Sequence, residues 1–177
     1  MRAARRPGQR LVGWTLFFVW AMSLAGLQGL LTRHSAGSFI PDAALVLSVV
    51  VLARAEAGDL GLIVLLTAFA RAATSGEPPL VLLTGILGAL LAALLLRGAF
   101  ELSGPLGRTL GTLAAAGFFQ AFVLIASDAR GAGSTIDFVG AFGSAIPVAI
   151  ASAIAALVLG PLLARLPGLT PLWSREW

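Results

Sequence analysis

Residues 80–96 read LVLLTGILGALLAALLL. No charged side chain interrupts them, Pro79 stands before them and Arg97 after them. The run falls within the roughly 17–25 apolar residues that an α-helix needs to cross the hydrocarbon core of a bilayer. Working outward, five further runs approach the same length: 11–31, 38–53, 60–73, 110–126 and 138–163. The expectation is an all-α polytopic membrane protein, six transmembrane helices in one bundle, forming a single integral membrane domain over residues 1–177. Runs two and three are short, which predicts either tilt or a partly re-entrant path.

Composition agrees with the runs. Of 177 residues, 58% are apolar and 11% charged, and mean hydropathy is +0.96. Soluble domains are about half apolar and about a quarter charged. This chain lacks the polar surface to cover its apolar side chains in water, and it is too apolar and too weakly charged for a disordered chain. Cysteine is absent, so there is neither a disulfide framework nor a thiolate site. His34 is the single histidine, and all twelve basic residues are arginine. Beyond residue 10 the arginines stand singly between apolar runs, so no basic stripe for nucleic acid forms.

The linkers are short and polar: Arg33–His34, RAEAGD at 54–59, TSGEPP at 74–79, a Gly104-Pro105 segment within 97–108, and SDARGAGSTID at 127–137. With six spans both termini share one side. That side collects Arg2, Arg5, Arg6, Arg10, Arg54, Arg97, Arg108, Arg165 and Arg175; the other collects Arg33, Arg71 and Arg130. The positive-inside rule then puts both termini in the cytoplasm. The first apolar run is longer than the 7–15 residues of a signal-peptide core and lacks a clean A-x-A site, so it reads as a retained first helix.

Candidate functional residues are few. His34, with Ser35 and Ser38, reads as interfacial loop, because a lone imidazole has no ligand partners at metal spacing. Gly131 and Gly133 lack the preceding strand and following Lys of a phosphate loop. Asp42 follows Pro41 and suits the first turn of span two, where proline needs no N–H partner and a carboxylate meets the positive end of the helix dipole. Arg71 lies near the outer end of span three; it either snorkels to the headgroups or pairs with Asp42 or Glu77, closing the outer face of the bundle. Under the pairing, Arg71→Ala lowers thermal stability in detergent, and an unchanged unfolding profile counts against it. Gln28 and Gln120 lie inside apolar runs and read as interhelical packing groups. The spacings Ala21–Ala25, Ala89–Ala93 and Gly107–Gly111 permit close helix approach. Pro147 and Pro161 are expected to kink or end span six. Trp14, Trp20, Trp173, Phe17 and Phe18 fit aromatic belts and core packing. Acidic residues fall at edges and in linkers, which argues against a proton-coupled pump, and no paired intramembrane acid or Ser–Lys pair suggests an enzyme.

Several of these features occur in a familiar order. Gln28 closes the first span in LAGLQGLL; Pro41-Asp42 starts the second; Thr74-Ser75-Gly76 ends the third; a Leu-rich fourth span ends in Arg97; and the last span ends in GPLLAR at 160–165. In this layout the chain resembles the bacterial rod shape-determining family MreD over about residues 11–166. It departs from the family at Ala72, where an Asp is frequent, and at Ser152, where an Asn is frequent. The resemblance implies a non-enzymatic scaffold of the inner membrane in the cell-elongation machinery, without cofactors or metals. It also implies association with the bitopic protein MreC and, through it, with MreB filaments and peptidoglycan synthases. The same resemblance implies a six-helix architecture shared with the substrate-binding subunits of energy-coupling-factor vitamin transporters. Such a subunit, holding a small molecule at its outer face, is the second expectation.

Overall fold

A computed structural model of the chain describes residues 7–34, 39–97, 100–131 and 138–173. Ser35, Ser38, Asp137, Gly133, the arginines at 2, 5, 6 and 175, and Trp177 lie outside the described residues, as does the side chain of His34. Among the described residues there are six α-helices: α1 (Pro7–His34), α2 (Ala43–Leu52), α3 (Leu60–Ala72), α4 (Pro79–Arg97), α5 (Pro105–Arg130) and α6 (Phe138–Leu163). Short 3₁₀ turns at Ala57–Asp59 and Thr170–Leu172 complete the secondary structure.

Four helices, α1, α4, α5 and α6, are long and apolar enough to cross a membrane. At 1.5 Å per residue, α4 is about 28 Å long and the other three about 40 Å, against a hydrocarbon core of about 30 Å. α2 and α3 have 10 and 13 residues, which makes them about 15 and 20 Å long. Several boundaries differ from the sequence reading. The second run, expected over 38–53, is helical only from Ala43, because Asp42 accepts the first-turn N–H of Leu45 and so caps the helix instead of lying in its first turn. α5 begins at Pro105 rather than at 110: Gly104 is the N-cap and Pro105 opens the helix, so the Gly-Pro pair read as linker is a helix start. α1 and α5 run on to His34 and Arg130, absorbing part of two linkers. α6 continues through Pro147 and stops two residues after Pro161.

The arrangement follows from α2. Its residues Ala44 to Leu52 are all buried, and it touches each of the other five helices. A helix that is apolar all round has no outward face and belongs inside. Around it, α1 packs on α3, α3 on α4, α4 on α5 and α5 on α6. Small residues let the walls close in: Ala21, Ala25, Ala89 and Ala93 are buried, and Gly111 lies between Ala93 of α4, Val49 of α2 and the Leu102 side chain. Phe17 and Phe119 fill the larger gaps, and Trp14 packs edge-on against Phe17 at 5.9 Å between ring centres. The outer surface is also apolar, with Leu95 82% and Val139 85% exposed. Such an exterior is compatible with a hydrocarbon surrounding.

Candidate functional site

The charged groups of the site gather at the two ends of α2, with one buried hydroxyl pair between them. At its N-terminus the four long-range partners of the site come from four helices. Asp42 is completely buried. Its Oδ1 accepts the Leu45 N–H at 3.0 Å, its Oδ2 accepts from Nη2 of Arg71 at the end of α3, and its own N–H donates to Ser152 Oγ of α6 at 2.8 Å. The Arg71 guanidinium lies over the Phe119 ring of α5, 4.6 Å from its centre. A cation stacked on an aromatic face and bonded to a carboxylate satisfies charge and packing together. Arg71 thus turns to Asp42 and not to Glu77. Two polar atoms there have no partner among the described residues: Arg71 Nε and, one turn on, Ser75 Oγ.

Glu77 instead meets Arg130 at the end of α5. Both side chains are partly exposed, 27% and 39%, so this rim pair is worth no more than about 1 kcal/mol. Glu77→Gln is therefore expected to shift thermal unfolding in detergent by that amount or less, and the difference should shrink in high salt. A larger loss would mean that the pair carries the connection between α3 and α4.

Halfway along α2, Ser48 donates its hydroxyl to the Ala44 carbonyl at 2.8 Å. That leaves Thr67 of α3 to donate to Ser48 across 2.7 Å, both side chains being fully buried. The sequence reading passed over this pair. The available signal was its depth: in antiparallel α2 and α3, Ser48 faces Thr67 one to two turns below Asp42 and Arg71.

At the other end, Arg10 of α1 grips Asp59 through Nη2 at 2.7 Å to each carboxylate oxygen and reaches Glu56 at 3.3 Å, tying α1 to the α2–α3 connection. Arg54 lies 5.4 Å from the centre of the Trp173 ring, and Trp20 Nε1 donates to the Pro167 carbonyl at 3.5 Å. Arg108, expected in a linker, is on α5 and buried, with Nε donating to the Ala156 carbonyl of α6 at 3.0 Å. Gln28 and Gln120 are half-buried on α1 and α5, and their side chains make no hydrogen bond with the described residues. The site therefore gathers Asp42 and Arg71 of the expected residues, adds Ser152 and Phe119, and leaves both glutamines outside.

By fold and site, the chain is an all-helical bundle with an apolar exterior, pinned by polar groups at both ends of a central short helix. No family model, characterised protein or solved structure matches it.

Proposed function

We propose that the chain crosses the bacterial cytoplasmic membrane six times, with both termini in the cytoplasm, and serves as a non-enzymatic scaffold resembling MreD in the cell-elongation machinery. The observation that carries this reading is the commitment of Asp42. Both of its oxygens and its N–H are bonded within the bundle, so the polar groups at the outer end tie helices together. The six passes are supported by the nine-to-three division of arginines between the two sets of helix ends. The ion pairs agree with that division: Arg10 meets Glu56 and Asp59 at one end, while Arg71 meets Asp42 and Arg130 meets Glu77 at the other. The apolar faces of the long helices remain for a bitopic, MreC-like partner.

The transporter-subunit reading is favoured by one observation, that Arg71 Nε and Ser75 Oγ have no partner among the described residues. These are groups that a small polar ligand at the outer face would satisfy. Purification of the tagged chain from its native membranes in mild detergent, followed by mass spectrometry, separates the two. Stoichiometric co-purification of an MreC-like protein is the expected result. A stoichiometric small molecule together with an ATPase pair would overturn the scaffold in favour of the transporter subunit.

A further inference from the structure

The membrane reading of the fold puts the Gln120 amide deep in hydrocarbon. Ten residues of α5 follow it to Arg130 and fifteen precede it from Pro105, so it stands about 15 Å from the nearer helix end. Its side chain is half-buried, hence reachable from outside the bundle, and makes no hydrogen bond with the described residues. Gln28 is also without one, but it lies only six residues from the end of α1, where the interface supplies water. An amide at the depth of Gln120 is stabilised by a partner on a neighbouring helix.

Beside Gln120 the surface is hollow. α5 and α6 frame an apolar groove of about 560 Å³, with Ala114 and Gly117 low in it and Leu113, Phe118, Phe142 and Ile146 standing around them. Those four larger side chains are between 37% and 56% exposed. Gln120 follows Gly117 by three residues and Leu113 by seven, which sets it on the same face of α5, one turn beyond the groove. The groove is held open. Phe118 stacks on Phe122 with ring centres 6.2 Å apart, and it sits over Gly88 of α4, where a Cβ would strike the ring. A ring packed on both sides does not swing in to fill the hollow.

We propose that this face of α5 and α6 receives a second copy of the chain, related by a two-fold axis along the membrane normal, with the two Gln120 amides bonded to each other. Copies inserted the same way share one orientation, and two-fold symmetry sets a residue near the axis opposite itself, at its own depth. An amide carries both donors and an acceptor, so it can pair with its own kind. An acyl chain would fill the groove but offer the amide nothing, and an unrelated helix would have to bring a polar group to the same depth. The inference rests on α5 crossing the membrane and not on the scaffold role, so either can fail without the other.

The chain has no cysteine, which makes disulfide trapping a clean test. Leu124, on the same face four residues beyond Gln120, is 37% exposed; Val19, at mid-length on α1, is 50% exposed. Leu124→Cys and Val19→Cys are made singly in the full chain, reconstituted in phosphatidylcholine vesicles over a series of lipid dilutions, and oxidised. A covalent dimer should form from residue 124 and persist on dilution, while residue 19 gives only the yield of random collision. Adding Gln120→Leu to Leu124→Cys should weaken dimerisation about three- to tenfold, the worth of one or two interhelical hydrogen bonds in lipid. Gln120→Asn, which keeps an amide, should lose less. Equal yields from residues 124 and 19, or a yield at 124 that dilutes away like a collision, would overturn the second copy. A dimer indifferent to Gln120→Leu would overturn the amide contact. If the chain is monomeric in vesicles but residue 124 links to a different protein when native membranes are oxidised, the face belongs to that protein and the proposal is overturned.

Discussion

Asp42→Ala is expected to cost about 3–5 kcal/mol, measured as the loss of unfolding free energy in detergent, because it leaves the Arg71 charge buried without its partner. The same substitution removes the N-cap of α2, worth about 0.5–2 kcal/mol, while the backbone N–H of residue 42 remains to donate to Ser152 Oγ. Asp42→Asn separates these contributions. It keeps a side-chain oxygen for the Leu45 N–H but not the charge, so it should fall between wild type and Asp42→Ala. The double variant Asp42→Ala with Arg71→Ala should be less damaging than the sum of the single variants, since removing both members leaves no stranded charge. Additive losses would mean that the two residues act independently and that the contact between them contributes nothing.

The second large effect is expected at Gly107. A methyl group there would lie 2.6 Å from the Glu101 carbonyl carbon and 3.0 Å from Leu102 Cα. Both are backbone atoms of the α4–α5 connection and cannot rotate away. Gly107→Ala should therefore cost toward the upper end of the roughly 1–3 kcal/mol typical of overpacking. Gly117→Ala provides the contrast on the same helix. Its methyl would meet Ala149 Cβ at an ordinary 3.7 Å, so gained helix propensity should make it neutral or stabilising. If both variants behave alike, the close approach of the connection to α5 is not what Gly107 serves.

The long apolar runs made α1, α4, α5 and α6 legible, because twenty or so uninterrupted apolar residues have few other uses. The place of α2 was harder to read. Ten residues such as AALVLSVVVL are apolar all round whether the helix meets lipid or five neighbouring helices, and periodicity is silent when every face is alike. The Asp42–Arg71 contact was within reach of the sequence, since both residues fall at the same end of adjacent antiparallel runs. Choosing Asp42 over Glu77 required three dimensions: Glu77 lies beyond the α3 end, within reach of Arg130. Arg108 was misplaced for a local reason. Gly104-Pro105 reads as a break, yet glycine at the N-cap followed by proline also begins a helix, and here it does. Ser48 and Thr67 went unremarked because a single hydroxyl in an apolar run carries no signal until its neighbour's depth is known.

α3 is the shortest segment, after the caged α2, that the six-pass account sends across the bilayer. The chain's lack of cysteine allows a direct check. Gly58 and Gly76 flank α3, and a Cβ at either position meets nothing within 4 Å. Gly58→Cys and Gly76→Cys can therefore be made singly and exposed to a membrane-impermeant maleimide on intact spheroplasts. The account predicts labelling at residue 76 from outside and protection at residue 58 until the membrane is opened. Labelling of both from the same side would show that α3 does not cross, and would contradict the six-pass bundle.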